Sequence, residues 1–600
     1  ELLNVIFSTH QATEDAKGKT FDVEAHHNLA RKAAEESIVL LKNEDQILPL
    51  KPGTKVAVIG DFAKTSRYQG AGSSLVNPTK QPEAIMDVIG ESGVDVIAYE
   101  QGYIRNRKPN KKLMKAAIEA ARKADVVLFF GGLDEISESE GLDRTHMDMP
   151  YAQDTLLDEI TTVNSNVIVV LSAGSAIEMP WYSYVKGIVH GYLGGQAGAS
   201  AMMNVLTGKV NPSGKLNETY PLHYKDTPAY AYYPSKERSS EYRESLYVGY
   251  RYFETIPQAR SKVNYSFGFG LSYTCFAWEI RSISEKGGLV SIQVNVVNTG
   301  KYAGKEVVQI YLHAPQGLLG KADKSLCAFE KTRLLQPGET QLLSFEISMD
   351  KQASYDDLGK IKKSAYVLEK GDYTFYVGTS VEQTMQADFV YTLEEDKIVE
   401  QLTSKLVPSV LKKRMLSDGT FEELPQTEPA DTDACAIPFE AKEPLDGLTP
   451  KTRVIEPVCL WKWRYKEGIR PFTEVAEGKM SLDEFLAQMT DEELAHLLGG
   501  QPNTGVSNTF GIGNMPEYAI PTITTADGPA GLRIEPQCGV NTTAWPCATL
   551  LASTWNPDLV YRVGEAGGKE VEENNISVWL TPAVNIHRSP LCGRNFEYYS

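Results

Sequence analysis

Ala124-Asp125-Val126-Val127-Leu128-Phe129-Phe130-Gly131 is a strand-length run with almost no polar face, followed at once by Gly132 and a cluster of carboxylates. Strands that are apolar on both sides belong to sheets covered on both faces. Lys55-Val56-Ala57-Val58-Ile59-Gly60 and Val167-Ile168-Val169-Val170-Leu171 read the same way, and His27 to Leu41 reads as an amphipathic helix. Short apolar strands alternating with helices predict an α/β sandwich domain over residues 26–280, built on a parallel sheet. Ligands of such sheets bind at the carboxyl ends of the strands. Gly60-Asp61 and the segment after Gly131-Gly132 therefore fall on the functional edge.

That segment is Glu135-Ile136-Ser137-Glu138-Ser139-Glu140-Gly141-Leu142-Asp143-Arg144. Carboxylates this crowded repel one another and should raise at least one pKa, which is how a carboxyl becomes a general acid near neutral pH. Gly141 permits a sharp turn that presents Glu140, with Asp143 and Arg144 expected to pair at the base of the loop. Glu138 is the alternative acid, and a solvated acidic loop has the same composition. In the loop Gln69-Gly70-Ala71-Gly72-Ser73-Ser74, Ser73 is placed to hydrogen-bond a ligand; no Lys follows at the spacing a phosphate loop requires. Gly194-Gly195-Gln196-Ala197-Gly198 misses the dinucleotide fingerprint and reads as close helix packing.

From about 285 the period changes to two. Ile292, Val294 and Val296 alternate with polar neighbours, as do Tyr373, Phe375 and Val377, and turn signals such as Asn298-Thr299-Gly300 and Gln336-Pro337-Gly338-Glu339 separate the runs. Residues 285–395 are predicted to form a β-sandwich of immunoglobulin-like size. Residues 396–480, rich in Pro, Glu, Asp and Thr, read as a linker that wraps a neighbouring domain through Trp461 and Trp463. Residues 481–600 open on a helix at Met489-Thr490-Asp491 and continue strand, helix, strand. There Thr525-Ala526-Asp527-Gly528-Pro529-Ala530-Gly531-Leu532-Arg533 and Gly593-Arg594-Asn595-Phe596-Glu597 follow apolar runs, so their polar groups fall at strand ends, where β/α barrels hold their chemistry. An Asp beside Arg grips vicinal hydroxyls, the carboxylate accepting two hydrogen bonds while the guanidinium donates several. A turn with a surface ion pair is the plainer reading.

Six hundred residues correspond to three or four domains at roughly 100–200 residues each. The formal charge of −18 argues against nucleic acid or an anionic membrane as partner and favours a small, neutral, polar ligand. It leaves self-association into a homodimer open. Seven scattered cysteines without metal-ligand spacing fit a reducing compartment. No basic leader opens the chain and no run of about 18 apolar residues occurs, so a cytoplasmic protein is expected, with secretion the alternative. No histidine pair, His146 and His587 included, has metal-ligand spacing. Neither metal nor cofactor is implied.

Leu40-Leu41-Lys42-Asn43, Ser139-Glu140-Gly141-Leu142-Asp143-Arg144, Asn211-Pro212-Ser213-Gly214-Lys215-Leu216, Phe267-Gly268-Phe269-Gly270-Leu271-Ser272-Tyr273, the Asp527 segment and the Gly593 segment together resemble glycoside hydrolase family 3. The resemblance is to β-glucosidases of reversed domain order, with the α/β sandwich and a fibronectin type III-like domain before a (β/α)8 barrel. It implies retaining exo-hydrolysis of terminal β-D-glucosyl residues from cello-oligosaccharides or aryl and alkyl β-glucosides. It gives Glu140 the role of acid/base, and Asp527, Arg533, Arg594 and Ser73 the role of binding the sugar. The family's nucleophile, an Asp in a Ser-Asp-Trp-like segment preceded by a Lys-His pair, has no counterpart here; Ser417-Asp418-Gly419 is not a match. A complete barrel needs about 250 residues, whereas 481–600 supply 120. Residues 481–600 are accordingly expected to be the N-terminal part of a barrel. Glu1 to Phe7 resembles the helix that closes one, with residues 1–25 as closing helix and linker, so a longer enzyme of roughly 800 residues is expected. A β-xylosidase or arabinosidase of the same family, and a non-catalytic carbohydrate-binding relative, share these motifs.

Overall fold

The computed structural model describes residues 1–105, 107–235, 240–403, 411–426, 468–499, 509 and 511–600. Six strands, β1 (Val39–Asn43), β2 (Lys55–Ile59), β3 (Asp95–Glu100), β4 (Val126–Gly132), β5 (Val167–Ser172) and β6 (Gly187–His190), form one sheet in the order β1-β6-β5-β4-β2-β3. All neighbours run parallel except β1, which pairs antiparallel with β6. Every residue of β4 is buried, so helices cover both faces. These helices are locally specified: the Asn110 side chain accepts the N–H groups of Lys112 and Leu113 at the start of Lys111–Lys123, and Asp22 accepts that of Ala25 at the start of Val23–Ser37.

The helix expected over His27 to Leu41 ends at Ser37, and Val39–Asn43 is the antiparallel edge strand. Ile38, Val39, Leu40 and Leu41 are all buried. Four consecutive buried residues, two of them β-branched, suit a strand enclosed on both sides better than a helix with one apolar stripe.

Residues 276–393 form two packed sheets. One orders Thr340–Ser348, Leu289–Asn298 and Phe276–Lys286; the other orders Ser325–Lys331, Val307–His313, Gly371–Gly378 and Thr384–Leu393. Val290, Ile292, Val294 and Val296 from the first meet Ile310, Leu312, Phe375 and Val377 from the second in one apolar core, the outcome of period-two patterning. Part of the region read as linker is ordered as well. Lys397–Gln401 adds to a small sheet with Ala365–Leu368, and the hairpin Lys413–Met415 with Phe421–Glu423 buries Met415 against Tyr247 and Phe253. Trp461 and Trp463 lie outside the described residues.

In the C-terminal region Thr490 caps the helix Asp491–Leu497 through a reciprocal capping box with Glu493. The first helix of the chain, Leu2–Ala16, sends Leu3 and Ile6 into the same core as Phe472, Phe485, Tyr518 and Ile523. Among the described residues this region contributes short strand pairs rather than a closed barrel: Ile512–Met515 antiparallel with Ile520–Ile523, and Thr525–Ala526 parallel with Val578–Trp579. Asp527 follows directly on the parallel pair.

Charged groups seal the junction of the three regions. The Lys331 ammonium, from the β-sandwich, donates to the carbonyls of Glu36 (3.1 Å) and Thr554 (2.8 Å). Lys305 pairs with the Glu36 carboxylate at 2.8 Å, and Lys215 with Glu306 at 2.7 Å. Burial pushes the Lys331 amine down to about 7 against the pull of Glu36.

Candidate active site

Two loops at the carboxyl edge of the sheet run side by side. Residues 67–74 follow β2, residues 134–144 follow β4, and Ala71 bridges Ser139 in parallel fashion. Gly141 turns the second loop with φ +80°. Glu140 Oε2 accepts the Ser73 backbone N–H at 2.6 Å, and its Oε1 lies 3.4 Å from Arg594 Nη1. The approach is close enough to require glycine at position 72. A Cβ there would stand 2.5 Å from Glu140 Cβ and 2.6 Å from its Oε2, and Gly72 has φ +102°.

The C-terminal region supplies the facing wall. Arg533 donates to the Gly72 carbonyl at 2.7 Å, and its own backbone N–H donates to the Asp527 carbonyl at 3.0 Å. The Gln69 side-chain amide, buried between the regions, donates to the Ala530 carbonyl at 2.6 Å. Phe596 is completely buried in a slot left by two glycines, since a Cβ at Gly70 would meet its ring at 1.9 Å and one at Gly174 its Cβ at 2.2 Å. Arg594 pairs through Nε with Glu597, whose other oxygen accepts the Ser74 hydroxyl.

The structure thus brings together Glu140, Ser73, Arg533 and Arg594, with Asp527 half-buried one backbone bond behind Arg533. The Glu140 side chain keeps 35% of its exposure and Arg594 keeps 40%, so both remain accessible to solvent. The expected upward pKa shift of a crowded acidic loop does not reach Glu140. Burial pushes its carboxyl up, but the Ser73 hydrogen bonds and the charges of Arg594 and Arg533 outweigh burial and hold it below the ordinary carboxylate range. The carboxylates of the loop are kept apart: Glu135 pairs with Arg105 and Glu138 with Arg67. Beside Glu140 the carboxyl of Glu597 does rise, because burial exceeds the opposing effects of Ser74 and Arg594.

Nor do Asp143 and Arg144 pair. Asp143 accepts the Gly593 N–H at 3.1 Å, while Arg144 Nη1 donates to Ser175 Oγ (3.0 Å) and to the carbonyls of Ala176 (2.9 Å) and Pro590 (3.2 Å). Both brace the loop, but against other segments. Glu138, the alternative acid, is fully buried. Arg67, Gln69 and Glu597 were given no part by sequence reasoning. Glu597 stood within a quoted motif, and Arg67 is a lone Arg in a loop that otherwise reads as neutral, but neither carries a local signal of burial. His146 is exposed beside Asp148, and His587 is buried between Glu218 and the Asn595 carbonyl.

The edge loops of the α/β sandwich thus meet arginines from a second region of a multidomain chain. Comparison with known proteins gives the family. Residues 38–273 match the glycosyl hydrolase family 3 C-terminal domain and residues 306–381 a fibronectin type III-like domain. The chain is 42% identical to beta-glucosidase A of Butyrivibrio fibrisolvens over 96% of its own length and 77% of that protein. It is 38% identical to an exo-alpha-(1->6)-L-arabinopyranosidase of Bifidobacterium breve over 64% of its own length and 51% of that protein. The solved structure of a beta-glucosidase from Paenibacillus barengoltzii superposes with a TM-score of 0.82 at 33% identity, over 96% of this chain and 66% of that one. The chain belongs to glycoside hydrolase family 3. It spans between about half and about three quarters of the length of these relatives.

Proposed function

We propose that this chain carries the acid/base half of a retaining β-glucosidase site, with Glu140 as the proton donor and Ser73, Asp527, Arg533 and Arg594 around the non-reducing sugar. The observation that carries the reading is the convergence of Arg533 and Arg594 on the Glu140 loop region from segments far apart in the chain. The relatives named beta-glucosidase support a terminal β-D-glucosyl residue of a cello-oligosaccharide or an aryl or alkyl glucoside as the substrate. No cofactor enters the reaction: in a double displacement one carboxylate attacks the anomeric carbon, and the other protonates the leaving oxygen and then activates water. No residue of this chain is assigned the nucleophile's role, and we assign Thr525–Ala526 and Val578–Trp579 to the beginning of the barrel that would hold it.

The resting charge of Glu140 fits the second half of that cycle, when it must accept a proton from water. Protonation for the first half follows from substrate binding. A sugar seated over Glu140 excludes water and strengthens the burial effect that already opposes its ionisation. The five described cysteines are all free, which supports a cytoplasmic location, and no described helix is long and apolar enough to cross a membrane.

In the enzyme carrying this chain, Glu140→Gln should lose about 10²- to 10⁴-fold in kcat/KM on phenyl β-glucoside. On 2,4-dinitrophenyl β-glucoside, whose leaving group needs no proton, the loss should be far smaller. Equal losses on the two would remove Glu140 from the role. The arabinopyranosidase relative favours a second reading, a pentopyranoside lacking the hydroxymethyl group. Higher kcat/KM on aryl β-xyloside or aryl α-L-arabinopyranoside than on aryl β-glucoside would select it.

A further inference from the structure

Glu138 is completely buried and two residues from Glu140. Its carboxylate collects more donors than any local structure requires: Arg67 Nη1 at 2.6 Å, the Gly174 N–H at 3.0 and 2.9 Å to its two oxygens, and Ser175 Oγ at 3.0 Å. The Glu138 carbonyl accepts Arg67 Nη2 at 3.0 Å, and Arg67 Nη1 also donates to the Leu133 carbonyl at 3.0 Å. These donors belong to two other loops of the same sheet edge, Arg67 after β2 and Gly174-Ser175 after β5. A carboxylate in this position holds three loops in register.

We propose that Glu138 is a positioning residue for Glu140, a buried latch that fixes the acidic loop against the loop of residues 67–74 and so sets the distance between the Glu140 carboxylate and the Ser73 N–H. The chain from Glu138 to Glu140 extends at most about 7 Å, so pinning the first confines the second. Arg67 does the same for the facing loop, whose Ala71 bridges Ser139 and whose Ser73 N–H reaches Glu140. From the far side Asp143 and Arg144 tie the loop to Gly593, Leu591 and Pro590. Glu140 thus projects from a short span anchored at both ends. This inference rests on the reading of Glu140 as proton donor.

The test is a double-variant cycle in the enzyme carrying this chain, reading kcat/KM on phenyl and 2,4-dinitrophenyl β-glucosides. Misplacing a proton donor by about 1 Å costs on the order of 10²-fold. Glu138→Gln should therefore lose about that factor on the phenyl glucoside and much less on the dinitrophenyl glucoside. Added to Glu140→Gln it should cost nothing further, because residues that act through one group are not additive. A residue that merely stabilises the fold would slow both substrates alike and would add its full factor to Glu140→Gln; either result overturns the latch. If Glu138→Gln does not accumulate as folded protein, Ser175→Ala decides, since it removes only one donor: the same asymmetry at smaller size, about 10-fold, supports the latch, and equal or unchanged rates overturn it. Should Glu140→Gln itself slow both substrates equally, the proton-donor reading fails and takes the latch with it. An asymmetric Glu140→Gln beside a symmetric Glu138→Gln sinks the latch alone.

Discussion

Among the charged clusters that join the α/β domain to the other described regions, two are built to opposite ends. At the junction with the β-sandwich, Lys331, Lys305, Glu36, Lys215 and Glu306 are mostly buried, each satisfied by a partner from another region. At the cleft, Glu140 and Arg594 meet at 3.4 Å and keep more than a third of their exposure. Charges that spend their hydrogen bonds on partners across the junction contribute chiefly to fixing how the regions sit together. The half-open pair retains free hydrogen-bonding capacity on the side that faces solvent. Burial of the partner, rather than the presence of charge, separates a structural cluster from a site.

That contrast predicts a clean division between stability and activity. The largest stability effect belongs to Glu36→Gln, which leaves Lys305 without its carboxylate partner and removes the negative charge near Lys331, and should cost about 3 kcal/mol in unfolding free energy. Activity per folded molecule should be unchanged. A variant equally stable but inactive would show that the junction, too, reaches the chemistry. Gly72→Ala should do the reverse, since its Cβ can be accommodated only by moving Glu140. A loss of about 10²-fold in kcat/KM is expected, with a modest fall in melting temperature; full activity would mean the cleft tolerates a displaced Glu140.

The gentlest probe is pH. The buried Lys331 amine is pushed down to about 7, below its unfolded value of 10.5. Between those values the unfolded chain binds the extra proton, so stability rises with pH across that window, with a slope of up to about 1.4 kcal/mol per pH unit. Below about 7 both states are protonated and this contribution to the slope vanishes. Lys331→Met should flatten the rise between pH 7 and 9 when urea unfolding of the two proteins is compared. Parallel curves would show that Lys331 stays protonated in the folded state.

The parts of this arrangement legible in the sequence are those with a local signature. The apolar run at Val126–Gly132, the alternation from Ile292 to Val296 and the capped start at Thr490 each follow from the periodicity or capping chemistry of a few neighbouring residues. Glu140, Asp527, Arg533 and Arg594 were legible as candidates because acids, arginines and glycines stood together at predicted strand ends. Ile38 to Leu41 misled for the converse reason: an apolar run next to a helix looks like more helix until its sheet partner Gly187–His190 is known.

By itself the sequence determined the element types, the order of the regions and the set of polar groups available at the sheet edge, because these depend on side-chain periodicity along the chain. Tertiary structure alone decided which of two glutamates two residues apart would be sealed and which left open. Arg67, Gly174 and Ser175 reach Glu138, while Ser73 and Arg594 reach Glu140. A charge is set by its surroundings, and here most of those surroundings come from segments 36 to 454 residues away along the chain.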